Sequence, residues 1–119
     1  MTETLSGSCY CKVVRYTLGE GPRSPVYACH CTDCQTRTGS AFSEHMTVQL
    51  DDLRVEGGFD QFAKARPNGS DYALVGCPKC KVAIYGASGL SPARVTLRCG
   101  TLDRSPAIAP SAHFWVRSK

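Results

Sequence analysis

The chain has 119 residues, a length that fits one domain spanning residues 1–119. Its composition is that of an ordinary globular protein, and no segment approaches the ~20 apolar residues of a membrane-spanning helix. The net charge of +4 is spread along the chain without a basic run, which argues against nucleic acid as a partner. Residues 1–5 lack the basic and apolar regions of a signal peptide, so we expect a cytoplasmic protein.

In chain order, the sequence predicts a mainly β protein with eight or nine short strands and no long helix. Residues 12–18 alternate in polarity, with Val14, Tyr16 and Leu18 on one face, as in a half-buried strand. The other predicted strands lie at residues 26–29, 42–50, 53–56, 72–75, 82–85, 94–99 and 113–117.

The segments between these strands are predicted to be short turns and loops, with one helical turn and one ambiguous segment. Residues 32–39 are polar and are expected to form one helical turn. Residues 59–65 fit a strand or a helix equally well. Pro67, Asn68 and Gly69 predict a hairpin turn. We therefore expect small, half-buried sheets whose ends are held by metal.

Seven of the eight cysteines fall into tight clusters, and these are the most informative feature of the chain. Spacings of one or two residues suit a shared metal ion better than disulfides, which a reducing cytoplasm also disfavours. Thiolate-rich tetrahedral sites select zinc, with an iron–sulfur cluster as the rival. The clusters are Cys9 with Cys11, Cys29 with Cys31 and Cys34, and Cys77 with Cys80.

The two cysteine pairs are predicted to hold one structural zinc. Cys9 and Cys11 lie far from Cys77 and Cys80 in the chain, and each pair stands beside a predicted strand. Four thiolates close the coordination shell of zinc, as in structural sites. Pairing Cys77 and Cys80 with Cys29 and Cys31 instead would leave Cys34 without a role. It would also leave the first pair, Cys9 and Cys11, without partners.

The remaining cluster of Cys29, Cys31 and Cys34 (the triplet) leaves one coordination position to fill. One interpretation is a catalytic zinc with an exchangeable fourth ligand. The other is a second structural zinc completed by His30, His45 or His113, or a site that is empty in the isolated protein. The eighth cysteine, Cys99, is interpreted as a buried thiol that ligates nothing.

Taken in order, these motifs resemble the glutathione-dependent formaldehyde-activating enzyme (GFA) family, which includes centromere-protein-V-like proteins. The match extends over almost the whole chain. The residues that carry the resemblance are Gly7, Cys9 and Cys11, then Cys29, His30, Cys31 and Cys34 with Gly39 and Ser40, then Cys77 and Cys80, then Gly100, Leu102 and Asp103, and finally His113 and Trp115.

The resemblance implies a small zinc-binding β domain of the Rab-exchange-factor-like fold with two zinc ions per chain, of which the second is expected to be only partly bound. It implies that glutathione or a similar thiol joins formaldehyde or another small aldehyde, or that the carbon–sulfur bond is broken in reverse. The implied structural ligands are Cys9, Cys11, Cys77 and Cys80, and the implied catalytic ligands are Cys29, Cys31 and Cys34.

Two positions depart from the family pattern, which usually has glycine directly after the second cysteine of each structural pair. Here Lys12 and Lys81 stand there. Glycine suits a tight turn around sulfur that needs a positive φ. The lysines are either an electrostatic offset for a site whose net charge would be about −2 with four thiolates on Zn²⁺, or two ordinary solvated side chains.

The predicted chemistry is attack by a metal-bound thiolate on a carbonyl carbon. His45 and His113 are candidates for proton transfer, and Arg37 is a candidate partner for a substrate carboxylate. Trp115 is interpreted as a core residue. The alternative function is a non-catalytic, zinc-scaffolded module that binds a protein or nucleic-acid partner. The sequence leaves open whether the protein is a monomer or a homodimer.

Overall fold

The structure is a computed structural model that describes residues 4–65, 71–88, 93–103 and 112–114. The described residues form short strands, one helix and two 3₁₀ turns. In chain order these are β1 (Leu5–Ser8), β2 (Arg15–Leu18), β3 (Tyr27–Cys29), α1 (Thr32–Thr38), β4 (Ser43–Gln49), a 3₁₀ turn (Leu50–Asp52), β5 (Leu53–Glu56), β6 (Asp60–Ala65), β7 (Asp71–Gly76), β8 (Ala83–Ser88), β9 (Arg94–Arg98), a second 3₁₀ turn (Cys99–Thr101) and β10 (Ala112–Phe114).

The described strands form two sheets. The smaller sheet has the order β1-β2-β5 and is antiparallel. The larger sheet has the order β10-β3-β4-β9-β8-β7-β6. Its neighbouring strands are antiparallel except β10 and β3, which run parallel. The prediction of a mainly β fold is confirmed.

Several local predictions change in detail. Residues 59–65, which fitted either element, contribute to strand β6. Helix α1 has seven residues rather than a single turn, and strand β9 ends at Arg98, so Cys99 begins a 3₁₀ turn instead of lying within the strand. The sequence analysis missed β1 because Leu5 is its only large apolar residue. The predicted turn at residues 67–69 lies outside the described residues, although the strands on either side pair antiparallel.

The hydrophobic core lies between the two sheets. Leu18 from the smaller sheet is fully buried with Val48 and Leu97 from the larger sheet. Strand residues alternate between faces, so Val48 points into the core while His45 points to the opposite face of the larger sheet. The larger sheet therefore presents one apolar face to the core and a second face that is free to carry a polar site.

Two glycines near the cysteine clusters are required, one by close packing and one by its backbone conformation. A Cβ on Gly7 would lie 2.4 Å from both the hydroxyl of Tyr16 and the carbonyl oxygen of Thr101, so only glycine fits there. Gly39 ends α1 with φ of 68°, and its N–H donates to the carbonyl of Gln35. A left-handed residue at this point stops the helix and starts the approach to β4.

Among the described residues, no helix combines the length and the apolar character that crossing a bilayer requires.

Candidate metal centres

The first cluster of thiols joins the two sheets. Cys9 and Cys11 lie in the connection between β1 and β2, while Cys77 and Cys80 lie in the connection between β7 and β8. All four sulfur atoms lie within 4.8 Å of one another. This four-cysteine cluster therefore lies where the two sheets meet, with one cysteine pair contributed from the side of each sheet.

The spacing of these sulfurs fits a tetrahedral metal ion. The Sγ atoms of Cys9 and Cys11 are 3.7 Å apart, and those of Cys11 and Cys77 are 3.6 Å apart. Four ligands at the usual Zn–S distance of ~2.3 Å would stand ~3.8 Å from one another. The cluster could thus hold a zinc-sized ion with little movement.

Backbone amides around the cluster donate hydrogen bonds to its sulfur atoms. Val14 N–H donates to Cys9 Sγ over 3.4 Å, and Lys79 and Cys80 N–H donate to Cys77 Sγ over 3.3 and 3.4 Å. Although desolvation opposes ionisation, backbone hydrogen bonds lower the pKa of Cys80 to about 6. At neutral pH at least one thiol is therefore ready to ligate.

The lysines that follow each cysteine pair adopt left-handed backbone conformations. Lys12 has φ of 70° and Lys81 has φ of 65°. Their N–H groups donate to the carbonyls of Cys9 and Cys77, which closes each turn around a sulfur. The positive φ expected at these positions is therefore present, at a cost of roughly 1–2 kcal/mol for each non-glycine residue.

Contacts with other segments also hold the four-cysteine cluster in place. Cys9 and Cys77 belong to the hydrophobic core together with Leu102. Asp103 accepts a hydrogen bond from the hydroxyl of Ser6 over 2.8 Å, and its N–H donates to the Ser6 carbonyl over 2.9 Å. The segment at residues 100–103 thus fastens β1 directly before the first cysteine pair.

The triplet lies where β3 leads into α1. Cys29 is the last residue of β3, and Cys34 lies in the first turns of α1. Cys31 caps the helix, since its Sγ accepts the N–H of Cys34 over 3.3 Å and lies 3.5 Å from the sulfur of Cys29. Gln35 fixes the loop by donating to the carbonyl of His30 over 2.7 Å.

His45 joins the triplet from strand β4. A ring nitrogen of His45 and the sulfurs of Cys29 and Cys34 all lie within 4.8 Å of one another, a grouping that could hold a metal ion. Cys31 is outside this mutual set, although it contacts Cys29. Of the three histidines that the sequence offered, the structure brings His45 to the cluster.

The environment of His45 includes a buried arginine that the sequence analysis missed. Arg98 lies directly opposite His45 in the pairing of β4 with β9. Its Nη1 contacts both His45 Nε2 and the hydroxyl of Ser43. The His45 ring also stands edge-on to Tyr27, with centroids 5.5 Å apart. Tyr27, His45 and Arg98 therefore form a row across three neighbouring strands.

Burial and charge set the ionisation of this site. Burial, followed by the neighbouring thiols, raises the pKa of Cys34, and burial also raises the pKa of Cys29. Burial and then the charge of Arg98 lower the pKa of His45 to about 3. His45 is thus a neutral imidazole at pH 7, with a nitrogen lone pair that could ligate a metal, and its role in proton transfer stays a prediction.

The structure places only some of the other candidate residues from the sequence. His30 is buried with its ring 5.3 Å from that of Phe42, outside the metal-ligand groupings found among the described residues. His113 lies in β10, parallel to β3 and opposite Ala28. The side chains of Arg37 and His113, and all of Trp115, lie outside what the structure describes.

Cys99 is fully buried in the core and joins neither cluster. Replacing it with alanine should leave the metal content of the protein unchanged and cost about 1 kcal/mol of unfolding free energy, since only a small buried group is removed. Metal analysis and urea unfolding of Cys99→Ala test this. Loss of one metal equivalent per chain would contradict the assignment.

An open groove of about 1240 Å³ borders the four-cysteine cluster and extends to residues next to His45. Tyr10, Lys12 and Lys81 line it on the side of the four-cysteine cluster, and Phe42, Ser43 and Arg98 line it on the side of the triplet. Ser43 and Arg98 contact one another, and Arg98 also contacts His45, so two residues of the groove lining lie next to the histidine that joins the triplet.

Comparison with known proteins identifies the family. The model of the family described as "Glutathione-dependent formaldehyde-activating enzyme" matches residues 4–118. The chain belongs to the GFA family. No curated protein matches it significantly.

Solved structures support the fold of this GFA-family chain. The crystal structure of a Rhodobacter sphaeroides protein, a Northeast Structural Genomics target, is similar with a TM-score of 0.62 and 17% identity. The similarity covers 92% of this chain and 99% of that one. At this identity the likeness concerns the fold alone.

Proposed function

We propose that this GFA-family chain is a carbon–sulfur lyase-like enzyme that adds a small thiol, glutathione or a similar one, to formaldehyde or another small aldehyde, and catalyses the reverse. The observation that carries the proposal is the convergence of Cys29, Cys34 and His45 next to Cys31. This cluster stands outside the main hydrophobic core and close to a groove. The description of the family supports the choice of thiol and aldehyde.

The two clusters are proposed to divide the work within a single domain. The four-cysteine cluster would hold a structural zinc, since its sulfurs close the shell and link two sheets. Cys29, Cys31 and Cys34 would hold a second zinc. The donor set fits because three thiols crowded into a buried site need a cation to stay ionised together.

The chemistry that a bound zinc supplies is the deprotonation of a coordinated thiol, which makes its sulfur nucleophilic at neutral pH. In the addition, a bond forms between the thiol sulfur and the carbonyl carbon, and the π electrons of the C=O bond move to oxygen. That oxygen takes up the proton that the thiol gave up. The product is a hemithioacetal, and no oxidant or reductant is needed.

The residues near the triplet contribute charge and shape. Arg98 places a permanent positive charge beside the site, which would stabilise negative charge on the carbonyl oxygen as the bond forms. The groove offers room for the rest of the thiol. Lys12, Lys81 and Arg98 outnumber the two acidic residues along its lining, Glu44 and Asp103, and would attract the carboxylates of a peptide-like thiol such as glutathione.

The test is the rate at which ¹³C-formaldehyde exchanges between its free and glutathione-bound forms, followed by NMR. The exchange rate should rise in proportion to protein concentration, since binding both reactants raises their effective concentration. 2-Mercaptoethanol, which lacks carboxylates, should give a smaller increase. If neither thiol with any small aldehyde shows acceleration, the proposal fails and the non-catalytic binding module becomes the better interpretation.

A further inference from the structure

We propose that His45 is an exchangeable ligand of the triplet metal: its imidazole completes the site at rest and moves to Arg98 when an external thiolate takes its place. The inference rests on the proposed binding of metal and thiol at this site. It adds to that function a residue, His45, whose position would decide whether the fourth coordination position of the triplet metal is free for a thiolate.

The first support is position. His45 is 5% exposed and is carried by the middle of a strand, so its place on the face of the sheet is fixed and only a small displacement of its ring is needed to change partner. Cys29 ends the neighbouring strand β3 opposite Ser43, and His45 lies two residues further along on the same face of the sheet. The ring nitrogen consequently reaches the sulfurs of Cys29 and Cys34, which Cys31 already borders.

The second support is the contact with Arg98. A guanidinium has only donors, so Arg98 Nη1 must donate to His45 Nε2. A neutral imidazole has one nitrogen with an available lone pair. That lone pair can serve either the guanidinium or a metal ion, but it cannot serve both. The site would therefore have two arrangements of the same ring, one with its nitrogen on Arg98 and one with its nitrogen on the metal.

The third support is that Arg98 is itself held in place. It is 9% exposed, lies in the row that joins β9 to β4, and also donates to the hydroxyl of Ser43 over 3.3 Å. A fixed donor next to a candidate ligand gives the imidazole a second partner within a small displacement. When a thiolate displaces His45 from the metal, the buried imidazole would still have a hydrogen-bond partner in Arg98.

The test uses ¹¹³Cd NMR on the full chain loaded with cadmium, whose shift separates four-sulfur sites from sites with three sulfurs and one nitrogen. We expect two resonances at rest, one of each kind. Glutathione should move the second resonance to the four-sulfur range and leave the first unchanged. His45→Gln should remove the nitrogen character of the second resonance before any thiol is added.

Arg98→Met provides a readout that a merely structural role would not give. Without its alternative partner, His45 should stay on the metal, so about tenfold more glutathione should be needed to move the second resonance. Arg94→Met is the matched control, because Arg94 is an exposed arginine of the same strand whose partner in β4 is Gln49. It should leave the glutathione dependence unchanged.

The outcomes separate this inference from the proposed function. If glutathione moves the second resonance but His45→Gln leaves the resting spectrum unchanged, the inference is wrong and thiol binding stands. If His45→Gln changes the resting spectrum but glutathione moves nothing, His45 is a permanent ligand, and both exchange and thiol coordination fail. Absence of a second resonance, or equal glutathione dependence of Arg98→Met and the wild type, would also overturn the inference.

Discussion

Replacement of Cys77 by serine should leave the protein largely unfolded or insoluble. Cys77 is fully buried, belongs to the hydrophobic core, and lies 3.6 Å from the sulfur of Cys11 across the two sheets. Structural zinc contributes roughly 10–16 kcal/mol of apparent binding energy in small fingers. A small domain has only about 5–15 kcal/mol of net stability. The free energy lost with this metal should therefore exceed the stability that the remaining interactions provide.

The measurements for Cys77→Ser are soluble yield, circular dichroism and thermal unfolding. Cys99→Ala is the matched control, since it also removes a fully buried sulfur of the same core but touches neither cluster. The control should remain folded. A well-folded Cys77→Ser protein with an unchanged melting temperature would show that the four-cysteine cluster does not hold the sheets together.

Replacement of Cys34 by serine should have a different result: a folded protein with one metal equivalent less and no affinity for thiol. Cys34 lies in α1, and its neighbours Cys29 and Cys31 belong to the same short segment. The core between the sheets does not include these residues. Loss of metal from the triplet should therefore leave the two sheets packed while removing the position at which a thiol would bind.

Metal content, circular dichroism and a glutathione titration of Cys34→Ser check this expectation against the wild type. Retained structure with a single remaining zinc and no glutathione binding supports separate structural and functional sites. Collapse of the fold in Cys34→Ser would instead show that the triplet is structural, and the chain would then be better described as a scaffold for binding a partner.

Local spacing explains why the cysteine groupings could be predicted from the sequence. Cys29, Cys31 and Cys34 lie within six positions, so whichever fold forms, their sulfurs stay close. The positive φ of Lys12 and Lys81 is implied by the resemblance, because the family pattern usually has glycine at these two positions. Alternation between faces likewise predicted which residues of strand β2 are buried.

The pairing of His45 with Arg98 could not be predicted in the same way. It depends on the register between β4 and β9 and on which face of the larger sheet is covered by the core. A shift of one residue in either strand would send one side chain to the other face. In the sequence, Arg98 resembles any polar residue of an alternating strand, and only the structure places it among buried groups.

A crystal structure at the zinc absorption edge, with glutathione present, tests the central claim most directly. The account predicts two anomalous peaks per chain, each ~2.3 Å from its sulfur ligands. One should be bound by Cys9, Cys11, Cys77 and Cys80. The other should be bound by Cys29, Cys31 and Cys34, with the glutathione sulfur as its fourth ligand. A single peak at the four-cysteine cluster and none at the triplet would contradict the account.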